Sequence, residues 1–224
     1  MKVSVVIPVY NEEKIIKNCL ESLMKQTEKP SEIIVVDNNC ADNTINVVKK
    51  YKNVKVIKEK KQGILYARNA GFNYATGDII ARTDADSITP RFWIKNMKKI
   101  FINNPPVVAF TTIVNFYDVP LINRMPFIYY VYTLIPKSVL GNYPLFGPSM
   151  ALRKIVWDKV KKDICHKDKE IHEDIDLSFH IKKYGKTYLD SSLIMKASGR
   201  RLKYNPFSFF GEYIFRFFKM LKNH

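Results

Sequence analysis

The chain has 224 residues, 46% of them hydrophobic and 13% aromatic, and it carries a formal net charge of +16 at pH 7. These proportions are typical of a folded domain with a substantial core, and they exclude a disordered chain. The charge indicates an anionic partner: nucleic acid, a phosphate-bearing substrate or an acidic membrane face. The three cysteines are odd in number and dispersed, which favours a reducing compartment over a disulfide framework.

Strand and helix patterns alternate along residues 1–92. Runs of β-branched and apolar residues predict four strands, over 3–7, 32–37, 54–59 and 78–84. Apolar residues at helical spacing predict three helices between them, over 12–27, 44–51 and 65–75. This alternation predicts an α/β fold, in which a mostly parallel, Rossmann-like central sheet is flanked by helices. Ligands of such sheets bind beyond the carboxyl ends of the strands.

The second half of the chain is less regular. Residues 105–148 are rich in Pro, Tyr, Phe and Asn, and no element is predicted for them. A helix is predicted over 172–186, because acidic residues begin this segment, lysines come late and Gly185 ends it. With no internal repeat and no low-complexity linker, the simplest organisation is one domain over 1–200 with a tail over 201–224.

The tail is aromatic and basic, and its aromatic residues recur at helical spacing. This pattern predicts a C-terminal amphipathic helix, which either lies at a membrane interface or packs on the domain or on a second subunit. No apolar run reaches the roughly 18 to 20 residues of a membrane span. The longest run, over 125–135, is too short for one.

Polar residues follow three of the predicted strands, in segments 8–13, 37–44 and 84–87. Asp37 closes its strand like an acid that reads a ribose hydroxyl or a base edge, although a turn-forming aspartate explains it equally well. The turn PVYNEE after the first strand contains no glycine, so it lacks the backbone phosphate cradle of Rossmann and P-loop proteins. A bound phosphate therefore needs another source of positive charge.

Two aspartates, Asp84 and Asp86, end the fourth strand two residues apart. In an extended segment they point to the same side, where their charges repel unless a cation lies between them. This arrangement favours a Mg²⁺ or Mn²⁺ ion over the alternative, a solvated acidic turn. Arg82 interrupts the same strand, so it either pairs with a nearby acid or faces solvent.

A second acidic cluster, HEDID, begins the predicted helix at 172. Glu173, Asp174 and Asp176 complement the helix dipole there, which is a sufficient structural reason for acids at this position. A carboxylate held near an acceptor hydroxyl is also what a general base requires. The cluster alone does not decide between the two roles.

Five segments together resemble family 2 glycosyltransferases of the GT-A fold, in that family's order and spacing: 5–13, 32–44, 67–87, 147–154 and 172–186. The resemblance implies a nucleotide-sugar donor, a divalent metal and inversion at the anomeric carbon. It also implies that residues 1–92 bind the nucleotide sugar and that residues 93–200 bind the acceptor.

Carried over by position, the resemblance gives roles to the donor-side residues. Pro8, Tyr10 and Glu12 line the nucleoside pocket, with Tyr10 against the base. Asp37 contacts the uracil or the ribose, and Arg68 lies near the nucleotide or its diphosphate. The donor is a UDP- or GDP-sugar.

The resemblance implies a metal site and a base as well. Asp86 ligates Mn²⁺ or Mg²⁺, and Asp84 contacts the ribose or a metal-bound water. Asp174 is the catalytic base, with Asp176 as the alternative. The acceptor side is formed by Gly147 and Glu173.

The partners are expected to be a nucleotide-sugar donor and a glycan or lipid-linked acceptor. A basic aromatic tail and the +16 charge favour an anionic membrane surface, with the protein peripheral on the cytoplasmic face. A nucleotidyltransferase is disfavoured because the first loop lacks glycines, and no nucleic-acid partner is expected because no recognised binding module is present. A sugar-nucleotide or lipid-binding protein without catalysis is disfavoured because it would not keep the base Asp174.

Overall fold

The computed structural model describes residues 1–119, 133–165, 172–204, 215–216 and 219. Within these residues the strands are β1 (Val3–Val9), β2 (Glu32–Asp37), β3 (Val54–Lys58), β4 (Ile79–Arg82), β5 (Val107–Phe116), β6 (Met150–Arg153) and β7 (Lys186–Ala197). The helices are α1 (Ile16–Met24), α2 (Thr44–Val48), α3 (Ile64–Tyr74), α4 (Trp93–Asn103), α5 (Ile135–Leu140), α6 (Lys154–Val160), α7 (Glu173–Ile181) and α8 (Arg200–Tyr204).

The strands form one sheet in the order β3-β2-β1-β4-β6-β5-β7. β6 runs antiparallel to β4 and β5, whereas the other neighbouring strands in the described part of the chain are parallel. The predicted mostly parallel α/β sheet is therefore confirmed. Because Val9 pairs with Asp37 and Val6 pairs with Arg82, the carboxyl ends of β1, β2 and β4 meet at one edge.

Helices cover both faces of the sheet, which explains why β1 is buried along its whole length. One face packs against α1 and α4, where Trp93 is fully buried. On the other face Phe72 and Trp157 pack edge to face, with ring centroids 5.1 Å apart. Gly71 permits the close approach of α3 to β1, because a Cβ there would clash with the Val6 side chain.

Three elements differ from the predicted ones. The fourth strand ends at Arg82, where its pairing with β1 and β6 stops, so Asp84 lies beyond the strand. The helix predicted over 172–186 ends at Ile181 and is followed by a 3₁₀ turn. The unassigned region 105–148 contains β5 and α5.

Most of the predicted amphipathic tail and of the apolar run 125–135 lies outside the described residues. The short helix α8 follows β7 and contains the first four residues of that tail, 201–204. No helix in the described ranges is both long and apolar enough to cross a membrane.

Candidate active site

Pro8 lies near the carboxyl end of the central strand β1. It pairs in register with Val36 of β2, but the ladder between β1 and β4 ends at Val6 and Arg82. A proline has no N–H to donate, and it is tolerated here because it lies beyond that ladder. Pro8 therefore lies where β1 is no longer paired with β4, on the edge of the sheet where ligands of such folds bind.

The loops after β1 and β2 are hydrogen-bonded to each other. The backbone N–H of Glu12 donates to Thr44 Oγ1 at 2.7 Å, and that of Ala41 donates to Asn11 Oδ1 at 2.8 Å. Asn11 has a φ of 54°, a left-handed conformation that asparagine tolerates. The Tyr10 side chain is left 53% exposed at this edge, so its ring is accessible to a stacking base.

Asp37 ends β2 and shapes the following turn. Its Oδ1 accepts a hydrogen bond of 2.9 Å from the backbone N–H of Cys40. The turn-forming role is therefore observed, while the nucleotide contact stays a prediction. The two roles are compatible, because a carboxylate has a second oxygen to offer.

Asp84 and Asp86 lie in a turn rather than in an extended strand. The backbone N–H of Ser87 donates to the Asp84 carbonyl at 3.1 Å. Asp84 Oδ1 accepts hydrogen bonds from Arg82 Nη2 at 2.8 Å and from Arg82 Nε at 3.2 Å. Arg82 therefore pairs with an acid, and its guanidinium is buried rather than facing solvent. The two aspartates differ in their surroundings even though they are close in sequence.

Asp86 lies close to two other carboxylates, Asp84 and Glu12, at the edge of the sheet. Its burial raises the pKa of this carboxyl to about 7, together with the negative charges of Asp84 and Glu12 and against the positive charge of Arg200. A cation at Asp86 would relieve this repulsion. The side chain remains 15% exposed, so an ion can reach it.

A buried chain of charges, Arg68–Glu173–Arg82, lies under this edge. Arg68 Nη1 donates to Glu173 Oε2 at 2.8 Å and to the Glu173 carbonyl at 2.7 Å, and Arg82 Nη1 bonds to Glu173 Oε1. Burial raises the pKa of Glu173, but the charges of Arg82 and Arg68 outweigh it and hold that pKa below its ordinary value. The network therefore keeps Glu173 ionised inside the protein.

These contacts give two predicted site residues, Arg68 and Glu173, a structural role that the sequence did not predict. The Arg68 side chain is completely buried, so in this structure it supports Glu173 and has no exposed surface for a nucleotide. The Glu173 side chain lies between the two guanidinium groups and is 10% exposed, so its carboxylate is occupied by these ion pairs, while its acceptor-side role stays a prediction. Burying charges in this way is costly, and good pairing geometry is what makes it tolerable.

Asp174 begins α7 beside the 145–147 segment. Its Oδ1 accepts the backbone N–H of Ile175 at 2.9 Å, and its Oδ2 accepts that of Gly147 at 3.3 Å. Burial, followed by the charge of Glu173, raises the pKa of Asp174 above its ordinary value, although Arg82 opposes the shift. A half-buried carboxylate with a raised pKa is a better proton acceptor than an ordinary surface aspartate.

Gly147 joins the two acidic regions. A Cβ at this position would lie 2.8 Å from Arg82 Nη2 and 3.3 Å from Asp84 Oδ2, while its N–H reaches Asp174. The segment is docked on α7 through Ser178 Oγ, which accepts the backbone N–H of Leu145 at 2.8 Å. The predicted site residues Asp84, Gly147 and Asp174 are thus brought together.

Asp176 faces away from this group. Its carboxylate has no exposed surface, and its Oδ2 accepts the backbone N–H of Cys165 at 3.0 Å. His180 Nε2 lies 3.7 Å from Oδ1. Of the two carboxylates predicted as a base, Asp176 is therefore closed to any ligand, whereas Asp174 is half-buried.

Arg200 was not expected from the sequence. Its Nη1 donates to Glu12 Oε2 at 2.8 Å, and its Nη2 lies 3.7 Å from Asp86 Oδ2. The basic pair at 200–201, just after the last strand, was the available signal. Pairing across so long a separation is not visible without the fold.

The carboxylates at this edge fit a divalent metal only if a bound phosphate supplies further ligands. No group of three or more His, Cys, Asp or Glu in the described ranges could hold a metal ion. Mg²⁺ is commonly held by one or two carboxylates together with substrate phosphates, and does not need an all-protein cage. Asp86, whose pKa is raised first by burial and then by the neighbouring acids, is such a carboxylate.

The chain matches a family and several relatives. The model of "Glycosyl transferase family 2" matches residues 4–159. An Escherichia coli UDP-Glc:alpha-D-GlcNAc-diphosphoundecaprenol beta-1,3-glucosyltransferase is 29% identical over 164 residues, which are 72% of this chain and 55% of that relative. The chain spans less than two thirds of the curated relatives it matches, from 15% to 55% of their length.

Two solved structures are similar in fold. S. aureus TarS 1-349 in complex with UDP-GlcNAc superposes with a TM-score of 0.71 at 21% identity, over 89% of this chain and 59% of that one. The Pyrobaculum calidifontis mannosyltransferase PcManGT in complex with GDP-Man and Mn²⁺ gives 0.69 at 20% identity, over 88% and 56%. The fold is that of GT-A glycosyltransferases, as predicted, and the chain belongs to glycosyl transferase family 2.

Proposed function

We propose that this chain transfers a sugar, with inversion, from a UDP- or GDP-sugar to a hydroxyl or phosphate of an acceptor. One observation carries the proposal: Gly147 donates its N–H to Asp174 and lies so near the donor-side turn that a Cβ on it would be 3.3 Å from Asp84 Oδ2. A cation-binding turn and a carboxylate with a raised pKa are thereby held next to each other. Residues 1–92 bind the donor in this proposal, and residues 93–200 bind the acceptor.

The donor lies in the crevice between β1 and β4. The accessible ring of Tyr10 stacks on the base, Pro8 and Glu12 complete the wall, and Asp37 reads the uracil or the ribose. A divalent ion, Mn²⁺ or Mg²⁺, supplies positive charge to the leaving diphosphate when bound at Asp86. This account is supported by the exposure of Tyr10 and by the crowding of carboxylates at Asp86.

Asp174 accepts the proton of the acceptor hydroxyl. The oxygen that loses this proton attacks the anomeric carbon from the face opposite the leaving diphosphate, so a single displacement inverts the configuration. The N–H groups of Gly147 and Ile175 hold the carboxylate in place during the transfer. No enzyme nucleophile is needed, because the sugar is never attached to the protein.

The acceptor is proposed to be lipid-linked, with the protein peripheral on the cytoplasmic membrane face. This is supported by the name of the E. coli relative, which acts on a diphosphoundecaprenol acceptor, and by the +16 charge of the chain. The tail over 201–224 is proposed to bind the anionic surface. Packing of the tail on a second subunit is the alternative.

The proposal is tested by following thermal unfolding of the protein with UDP or GDP, each with Mn²⁺ and with excess chelator. A ligand at about 100 times its dissociation constant adds about 2.7 kcal/mol of stability. We expect a rise in Tm with one of the two nucleotides, present with Mn²⁺ and lost with chelator. Equal Tm values in all four conditions would contradict the proposal.

A further inference from the structure

Arg200 places a positive charge against two acids of the donor edge. It belongs to α8, which follows β7 and is separate from the loops after β1 and β4. Both of its terminal nitrogens contact the Glu12 carboxylate, one of them at 2.8 Å, and Nη2 lies 3.7 Å from Asp86 Oδ2. One side chain thus links the β1 loop to the turn after β4.

The backbone that carries Arg200 is firmly held. Ser198 Oγ donates to Asp118 Oδ2 at 2.6 Å, and the N–H of Gly199 donates to Asp118 Oδ1. β7 also pairs with the residue that follows the acidic turn, through Ile88 and Lys196. The Arg200 side chain itself is 44% exposed, so it can change partners while its backbone stays in place.

The two carboxylates that Arg200 contacts, Glu12 and Asp86, are also the groups to which a metal cation would bind. A divalent ion at Asp86 would stand a few ångströms from the guanidinium and repel it. Once released, a guanidinium offers a planar fork of donors that matches phosphate oxygens in a two-point contact. A diphosphate bound between Pro8 and Asp86 would lie within reach of that fork.

We infer that Arg200 is a donor-binding residue that exchanges partners. It holds Glu12 and Asp86 in the absence of donor, and it binds the diphosphate when a divalent ion occupies Asp86. This inference rests on the proposed function, because it requires a nucleoside diphosphate donor. It adds a cationic group from the C-terminal side of the chain to a pocket otherwise built from residues 1–92.

The test compares Arg200→Ala and Arg200→Lys with the wild type, and uses Arg91→Ala as a control. Arg91 is an exposed arginine outside the donor edge, so its loss changes the net charge equally. Binding of Mn²⁺ alone is followed by the electron paramagnetic resonance of free Mn²⁺. Binding of UDP and of GDP, each with saturating Mn²⁺, is followed by calorimetry.

The two measurements are expected to move in opposite directions. Arg200→Ala should bind Mn²⁺ alone roughly threefold more tightly, because a competing charge is removed. It should bind the nucleotide at least about tenfold more weakly, because a charge-assisted hydrogen bond is lost. Arg200→Lys should fall between, since it keeps the charge without the fork, and Arg91→Ala should match the wild type.

Other outcomes overturn the inference. Unchanged nucleotide affinity in Arg200→Ala would show that Arg200 does not touch the donor. Parallel weakening of Mn²⁺ and nucleotide binding would show a structural role. If the wild type binds neither UDP nor GDP with Mn²⁺, the proposed function fails and the inference fails with it. If the wild type and Arg200→Ala bind the nucleotide equally tightly, only the inference is contradicted.

Discussion

Two acidic pairs of identical spacing carry the candidate site, and each divides its carboxylates in the same way. After β4, Asp84 is bonded to Arg82, whereas the pKa of Asp86 is raised to about 7 by burial and by neighbouring acids. At α7, Asp176 is buried against a backbone N–H, whereas burial and Glu173 raise the pKa of Asp174. The two pairs therefore share the same spacing, and the neighbouring groups determine which carboxylate of each pair has a raised pKa.

The two pairs differ in what surrounds the perturbed member. Asp86 is crowded by Asp84 and Glu12, an environment that a cation relieves. Asp174 accepts hydrogen bonds from the N–H groups of Gly147 and Ile175, which fix the orientation in which its carboxylate would accept a proton. This difference supports the proposal that the first pair serves the donor and the second pair serves the acceptor.

The largest expected effect comes from Glu173, which lies between the two pairs. Glu173→Gln would leave Arg68 and Arg82 buried without their counter-charge, and should lower the free energy of unfolding by about 3 to 5 kcal/mol. Urea unfolding measures the change. The control is Glu28→Gln, which removes a partly exposed partner of Lys98 and should cost less than about 1 kcal/mol. Equal losses in the two variants would refute the buried network.

Gly147→Ala tests the junction of the pairs. The added methyl group would crowd Arg82 and Asp84 and would shift the segment that binds Asp174. Misplacement by about 1 Å can cost roughly a hundredfold, so we expect kcat to fall by about tenfold to a hundredfold. Sugar transfer under saturating donor measures it, and undiminished kcat would separate Gly147 from the chemistry.

Asp176→Asn tests the division within the second pair. It replaces a buried carboxylate that accepts a hydrogen bond from Cys165, so stability should fall by about 1 to 3 kcal/mol. Transfer per folded molecule should be retained, because this carboxylate cannot meet an acceptor. Transfer abolished in fully folded Asp176→Asn would make Asp176 the base.

The smallest effect concerns pH. Because the folded-state pKa of Asp174 is raised, its protonated form is favoured in the native protein. Its contribution to stability is present below the ordinary aspartate pKa of about 3.9 and is lost as pH rises through the raised value. The base needs the ionised form, so kcat should fall as pH drops through the same raised value. A kcat that stays constant down to the ordinary aspartate range would contradict this.

Much of the fold follows from local patterns, because buried parallel strands read as continuous apolar runs and their loops must share one edge. Strand β1 and its polar turn are of this kind. The ion pairs between distant residues, in contrast, do not follow from local patterns. Arg68 pairs with Glu173, which is 105 residues away in the sequence, and Arg200 pairs with Glu12, which is 188 residues away. The local sequence around either arginine does not indicate which acid it pairs with.

The sequence does not predict structural roles that depend on such distant contacts. The ion pairs of Glu173 with Arg68 and with Arg82 are of this kind, whereas the predicted roles of Arg68 and Glu173 toward the nucleotide and the acceptor stay predictions. A charged residue on the buried face of a helix or inside an apolar strand is a general sign of an internal partner. Arg82 is such a residue, because it lies within the apolar run of the predicted fourth strand.

The central claim, that the two pairs serve different steps, is tested most directly by measuring nucleotide affinity and sugar transfer side by side in Asp86→Asn and Asp174→Asn. Asp86→Asn should lose Mn²⁺-dependent binding of UDP or GDP. Asp174→Asn should keep that affinity and lose transfer by about a hundredfold to ten-thousandfold. Loss of nucleotide affinity in Asp174→Asn, or full transfer by either variant, would contradict the account.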